Sequence, residues 1–212
     1  MTKAQLTKLL IESFPYKPTE GQINLLEQTS EFLLDIEENN LLVINGYAGT
    51  GKTSIVKAIT DVLNTFKHEC LLLAPTGRSA KVLSSYTQKQ AFTIHKKIYR
   101  IHLDNNGYTQ CSLLPNIHKN TLFIVDEASL IADYSTQSEG GFSSGRSLLA
   151  DLINYIYNGN NNRLIIIGDA AQLPPIGMDE SPALNLKFLN ASFGLNIRSC
   201  ELTEVVRQEE NS

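Results

Sequence analysis

The chain has 212 residues, 42% hydrophobic and 19% charged, with a formal net charge of −4 at pH 7. That length suits a single α/β domain with a sizeable core, and the acidic balance excludes a protein that coats nucleic acid over its whole surface while leaving room for a local basic face. Three cysteines (Cys70, Cys111 and Cys200) without CxxC spacing predict reduced thiols in a cytoplasmic protein, not a disulfide framework or a zinc site. The N-terminus lacks the apolar core of a signal peptide, and no apolar run is long enough to span a membrane.

Residues 2 to 14 predict a short amphipathic helix with Leu6, Leu9, Leu10 and Phe14 on one side, broken by Pro15 and Pro18. A second helix starts near Thr19 and carries Leu25, Leu26, Phe32, Leu33 and Leu34, with Glu27, Glu31, Asp35, Glu37 and Glu38 as a solvated acidic face. Thr19-Glu20-Gly21-Gln22 has two readings. One is a capping box, in which Gln22 reaches back to the helix start. The other is a grip on an adenine edge, because a side-chain amide carries both donor and acceptor. The spacing by itself favours the cap.

The next stretch organises the rest. Leu41 to Asn45 is a short apolar run of strand type, and Ile55, Val56, Ala58, Ile59, Val62, Leu63 and Phe66 follow with helical spacing. Between them Gly46-Tyr47-Ala48-Gly49-Thr50-Gly51-Lys52-Thr53 forms a complete phosphate-binding loop in the strand–turn–helix context it requires. Its glycines let backbone N–H groups curl around a polyphosphate at a helix N-terminus. Lys52 is placed to reach the β- and γ-phosphates, and the Thr53 hydroxyl to bind Mg²⁺.

Leu71 to Ala74 predicts a further strand, feeding Pro75-Thr76-Gly77-Arg78-Ser79-Ala80-Lys81 and another helix. From Cys70 to Leu103 the chain has no Asp or Glu, but it holds Arg78, Lys81, Lys89, Lys96, Lys97 and Arg100 with His95 and His102. Such a segment reads as a surface that tracks phosphates, or as a basic face balancing the acidic second helix. Residues 98 to 120 look like a small hairpin insertion around Asn105-Asn106-Gly107.

Thr121 to Val125 is a buried-type strand ending in Asp126-Glu127-Ala128-Ser129. There Asp126 can hold a metal ion through its water shell, and Glu127 can orient and deprotonate an attacking water. Alone, such a pair also fits two acids capping a strand end. Residues 134 to 147 are Gly/Ser-rich and predict a flexible loop, followed by a helix over about 147 to 157. Arg163 to Ile167 is another buried strand, leading into Gly168-Asp169-Ala170-Ala171-Gln172-Leu173-Pro174-Pro175. Ser181-Pro182 predicts a short helix start, and residues 200 to 204 a last strand. The expected architecture is α/β: a mostly parallel central sheet between helices, with strands near 41–45, 71–74, 121–125, 163–167 and 200–204.

Taken together, these stretches resemble superfamily 1 DNA helicases of the RecD/Dda-like branch, which move 5′ to 3′. The matching residues run in the family's order: the Gln22 region, Gly46 to Thr53, Ala74 to Ala80, Thr93-Ile94-His95, Val125 to Ser129, Gly168 to Pro175, and Leu202-Thr203-Glu204 with Arg207-Gln208. The resemblance implies a RecA-like P-loop NTPase of three layers that uses ATP and Mg²⁺. It implies an ATP site of Gln22, Gly46, Ala48, Gly49, Thr50, Gly51, Lys52 and Thr53, with Gln22 on adenine, a role that can coexist with the cap. It implies Thr53 and Asp126 as metal ligands, and Lys52, Glu127, Gln172 and Arg207 as catalytic residues. Gln172 would sense the γ-phosphate, Arg207 would contact it, and Thr76, Arg78 and His95 would lie along single-stranded DNA. Residues 1–212 then correspond to one RecA-like motor domain, binding Mg-ATP weakly and unwinding nothing without a second such domain. Nuclease or recombination subunits in DNA repair are further partners of this class. The alternatives are a P-loop ATPase switch of the AAA+ or clamp-loader type, which forms rings, and a non-catalytic nucleic-acid-binding module, against which the intact Lys52, Thr53, Asp126 and Glu127 speak.

Overall fold

The computed structural model describes residues 1–103, 109–133 and 147–206. Two amphipathic helices open the chain, α1 (Lys3–Glu12) and α2 (Glu20–Leu34), each begun by a threonine capping box, at Thr2 and at Thr19. There follow β1 (Asn40–Gly46), α3 (Lys52–Thr65), β2 (Cys70–Ala74), α4 (Gly77–Thr87), β3 (Ala91–Thr93) and α5 (Ile94–Ile98). Then come β4 (Tyr99–Leu103), β5 (Thr109–Leu113), β6 (Leu122–Val125), α6 (Leu148–Tyr157), β7 (Arg163–Gly168), α7 (Leu186–Phe193) and β8 (Asn196–Leu202). Among the described residues no helix is long and apolar enough to cross a membrane.

Six strands form one sheet in the order β3-β2-β6-β7-β1-β8, and all five pairings in it are parallel. A parallel sheet must be covered on both faces, so its strands are apolar on both. β1 shows this directly: Leu42 and Ile44 join one core, while Leu41 and Val43 join the other. The first core is closed by Leu6 and Leu10 of α1, Leu25 and Phe32 of α2, Ile55 and Ile59 of α3, and Leu83 of α4. The second is closed by Ile94 and Ile98 of α5, Leu152 and Ile156 of α6, and Leu189 of α7. The result is the expected helix–sheet–helix sandwich.

Because all six strands point the same way, every segment that follows a strand emerges at one edge of the sheet, where ligands bind in open α/β folds. Only β7 separates β6 from β1. At about 4.8 Å per strand spacing, the ends of β1 and β6 lie roughly 10 Å apart.

Several expected boundaries move. The last strand is Asn196–Leu202, not 200–204; as an edge strand it is exposed along most of its length and lacks the apolar run that marks the central ones. The hairpin is narrower than 98–120: β4 and β5 pair antiparallel from Tyr99–Leu113 to Leu103–Thr109, and Ile98 closes α5 with its side chain fully buried. Ser181-Pro182 opens a turn; the helix begins at Leu186, where the Asn185 side chain accepts from the Phe188 N–H. The predicted loop at 134–147 lies outside the described residues except for Ser147, which caps α6 by accepting the Ala150 N–H.

Candidate functional site

The loop between β1 and α3 is set by its glycines. Gly51 has φ +85°, a left-handed conformation that L side chains adopt at a cost. A Cβ there would stand 2.5 Å from Gln22 Nε2, and a Cβ on Gly46 would stand 2.8 Å from Thr50 Oγ1. Only glycine admits these approaches. The loop also bonds to itself and to its surroundings. The Thr50 hydroxyl donates to the Tyr47 carbonyl at 2.8 Å. The Tyr47 N–H donates to Leu202 O at 3.4 Å and the Val206 N–H to Gly49 O at 3.0 Å, so the segment after β8 lies against the loop. Lys52, the first residue of α3, folds its ammonium back onto Gly46 O at 2.6 Å and Tyr47 O at 3.0 Å. Thr53 is next, in the same first turn and half-buried. Ala48 and Gly49 are exposed at the loop tip.

Gln22 has two structural ties at once. Its Oε1 accepts the Thr19 N–H at 3.0 Å, which completes the capping box of α2, and its Nε2 donates to the Thr50 carbonyl at 2.9 Å. The residue is 3% exposed. The capping reading is therefore present in the structure, and the same side chain fastens α2 to the glycine loop. No local sequence pattern announces that second bond, which joins residues 28 positions apart.

Asp126 follows the last residue of β6, and its backbone N–H continues the ladder to Leu73 O at 3.0 Å. Its carboxyl is pushed up to about 6, chiefly by burial and then by the neighbouring Glu127 charge, against the pull of the Glu127 N–H and the Lys52 ammonium. Lys52 is near enough to weigh on that carboxyl, though as the smallest of the four influences, as expected where only β7 separates the β1 and β6 ends. Glu127 has φ 55°, left-handed backbone in a non-glycine residue, and its N–H donates to Asp126 Oδ1 at 3.0 Å. Such a conformation costs on the order of 1–3 kcal/mol and persists where the surroundings enforce it. Here it turns the chain sharply from β6 into a short 3-10 turn, Ala128–Leu130.

Gln172 joins this group from the end of β7. The Ser129 hydroxyl donates to Gln172 Oε1 at 3.1 Å. The turn that carries Gln172 is held by the Ala170 N–H on Asn45 Oδ1 and by the Ala171 N–H on Asp169 Oδ1, each at 2.9 Å. The sequence motifs by themselves assign no role to Asn45 or Ser129. A signal for Asn45 exists: a polar residue closes an otherwise apolar strand directly before the glycine loop. Arg207 lies outside the described residues.

The predicted nucleic-acid residues lie at the same edge, toward its other end. β2 and β3 are neighbours with Ala74 opposite Thr93, so Thr76 and His95 both emerge just past paired strand ends. Both are exposed, as is Arg78. Thr76 also serves the fold, because its side chain accepts the Ser79 N–H at 3.1 Å and caps α4. Thr76→Ala is therefore expected to cost about 1 kcal/mol of stability, and Thr76→Ser to keep it, as read by chemical denaturation. Although His95 is exposed overall, partial desolvation of its ring lowers its pKa, and the ring centroid lies 5.7 Å from that of Tyr99. Lys97 sits 5.5 Å over the Phe92 ring. Cys70 and Cys200 are free thiols, and burial pushes Cys70 up to about 12, which makes it inert.

A family model described as an AAA domain, AAA_30, matches residues 20–212. The chain is 29% identical over 159 residues to the ATP-dependent RecD2 DNA helicase of Deinococcus radiodurans, an alignment covering 75% of this chain and 19% of that protein. It is 31% identical over 192 residues to the ATP-dependent DNA helicase dda of Enterobacteria phage T4, covering 89% of this chain and 39% of that protein. Among solved structures, the Pif1 helicase from Candida albicans is similar at 16% identity with a TM-score of 0.49, over 91% of this chain and 41% of that one. The chain thus spans well under half the length of these curated relatives. By the family match over residues 20–212 and these sequence relatives, it belongs to the AAA_30 family of AAA domains, in the RecD/Dda-like helicase group.

Proposed function

We propose that this chain is the ATP-binding motor domain of an ATP-dependent DNA helicase that moves 5′ to 3′, coupling ATP hydrolysis to translocation along single-stranded DNA. The observation that carries the reading is that the loop of Lys52 and the Asp126-Glu127 strand end emerge two strand spacings apart at one edge of a parallel sheet, beside a basic segment at the same edge. The two helicase relatives support it.

The residues present fit Mg-ATP. The loop is shaped by glycines whose Cβ positions are already filled, and the Lys52 ammonium rests on carbonyls that a polyphosphate can replace as partners. Asp126 is a buried carboxylate whose charge Lys52 only partly balances, which suits a site for a divalent cation. Thr53 and Asp126 would hold Mg²⁺, which when bound neutralises charge on the phosphate oxygens. In this reading Lys52 swings from Gly46 and Tyr47 onto the phosphates. Glu127 orients the attacking water and accepts its proton. Gln172 donates from its amide to the γ-phosphate, Arg207 contacts the same group, and Gln22 meets the adenine. Thr76, Arg78 and His95 lie along the DNA backbone. Residues 1–212 act as one RecA-like domain, and a second one closing on this edge completes the catalytic site.

The test combines two measurements on residues 1–212. Oligo(dT) anisotropy should show binding that weakens linearly in log–log form with salt, and Arg78→Ala should weaken it further. ATP turnover should stay near the Lys52→Ala background with or without oligo(dT), because the second domain is required. Absence of oligo(dT) binding at low salt would remove the DNA part of the reading. Ring assembly on adding ATP would instead favour the switch-type ATPase, and DNA-stimulated turnover lost in Lys52→Ala would overturn the need for a second domain.

A further inference from the structure

The turn carrying Gln172 is fixed by backbone contacts, but its side chain is fixed by one hydroxyl. The Gln172 N–H donates to Asp169 O at 3.1 Å, and the neighbouring N–H groups are taken by Asp169 and Asn45. These bonds set where Gln172 begins, not which way its amide faces. That is decided by Ser129, whose hydroxyl donates to Gln172 Oε1 at 3.1 Å. Ser129 is 1% exposed and belongs to the 3-10 turn that starts directly after Glu127. A hydroxyl can also accept, but with Nε2 turned toward it the buried Ser129 O–H would have no acceptor among the hydrogen bonds of the described residues, so the orientation with Oε1 on Ser129 is the favoured one.

A carboxamide has unlike ends: Oε1 accepts and Nε2 donates. Phosphate oxygens accept, so an amide that reads a phosphate must present Nε2. The terminal torsion of glutamine is broad and close to two-fold, and left alone it does not choose between the ends. With Oε1 held by Ser129, Nε2 is the end left to face a ligand. We propose that Ser129 is a positioning residue: it sets the amide orientation of Gln172 and ties the γ-phosphate sensor to the turn that carries Asp126 and Glu127. The proposal rests on the nucleotide-binding reading above. Movement of the acidic turn is then transmitted to Gln172 through one hydrogen bond, across 43 residues of sequence.

The test uses the whole chain and needs no turnover. In ¹⁵N spectra the Gln172 side-chain NH₂ signals are identified by their loss in Gln172→Ala. They should move toward the free-amide position in Ser129→Ala, and also in Ser129→Cys, which keeps the volume and weakens the donor. Affinity for Mg-ATPγS should fall about tenfold in Ser129→Ala while affinity for Mg-ADP stays within about twofold, the pattern of one lost bond to a charged group. The double variant with Gln172→Ala should lose no more than Gln172→Ala alone. Unchanged Gln172 signals in both Ser129 variants would overturn the proposal. So would a loss that adds to that of Gln172→Ala, or one shared equally by ADP. If nucleotide binding proves independent of Lys52, the underlying reading falls, and the Gln172 signals alone then decide the role of Ser129.

Discussion

Asp126→Asn should make the protein more stable while removing the Mg²⁺ dependence of its nucleotide binding. The Asp126 carboxyl titrates near 6 in the folded chain, against an ordinary value of 3.8, because burial and Glu127 disfavour its charge. The native state therefore holds a proton that the unfolded chain releases. Stability falls as pH rises from about 4 through 6, and above 6 the full cost of the buried charge is present. At 1.36 kcal/mol per pK unit, a shift from 3.8 to about 6 makes that cost about 3 kcal/mol. Asparagine removes it and still accepts the Glu127 N–H that Asp126 Oδ1 accepts at 3.0 Å. For a chain of this size the melting temperature should rise by roughly 6–12 °C at pH 7.5. The gain should vanish near pH 4, where the native carboxyl is already neutral. Melting curves at the two pH values check both the sign and the window. Equal melting temperatures at pH 7.5 would contradict the burial of this charge. A residue retained at such a cost fits one kept for its ligand, not for the fold.

Gly51→Ala should act in the opposite direction on stability, and strongly. At φ +85° a Cβ costs about 1–2 kcal/mol from local sterics. It would also stand 2.5 Å from Gln22 Nε2, which makes a buried bond to Thr50 O at 2.9 Å. Displacing that amide leaves the Thr50 carbonyl unsatisfied, a further loss of about 1–3 kcal/mol. The sum is roughly 2–5 kcal/mol, or a fall of about 4–20 °C in melting temperature. The clash and the backbone strain can be separated. Adding Gln22→Ala removes the clash but not the strain, so the double variant should be less destabilised than the two single losses added together. Strict additivity would show that Gln22 and Gly51 do not meet in solution.

The strands and the acidic strand end are legible in the sequence because their signals are local. Leu41 to Ile44, Leu122 to Val125 and Arg163 to Ile167 are short apolar runs, and a parallel sheet buried on both faces demands such runs. The glycine loop is a continuous motif. What the sequence does not disclose lies in contacts between distant residues or in elements too short for a period. β3 has three residues, none fully buried. α5 has five, where the alternation of Ile98-Tyr99-Arg100-Ile101 suggests a strand already at Ile98. β8 alternates weakly because it is an edge, paired with β1 on one side only. The strand order follows from long-range pairing that no window of sequence contains. The bonds of Gln22 to Thr50, Asn45 to Ala170 and Ser129 to Gln172 are likewise products of the fold. They concern how the site is held, whereas the motifs concern which groups it holds.

If the glycine loop, Lys52 and Asp126 form one Mg-ATP site, calorimetric titration of residues 1–212 with ATP will show it. The titration is run with and without Mg²⁺, for the wild type and for Lys52→Ala. Saturable binding by the wild type that requires Mg²⁺ is expected. Lys52→Ala should lose that binding without a fall in melting temperature that would signal unfolding. Equal binding by both proteins, or no binding by a folded wild type, would contradict the assignment of the site.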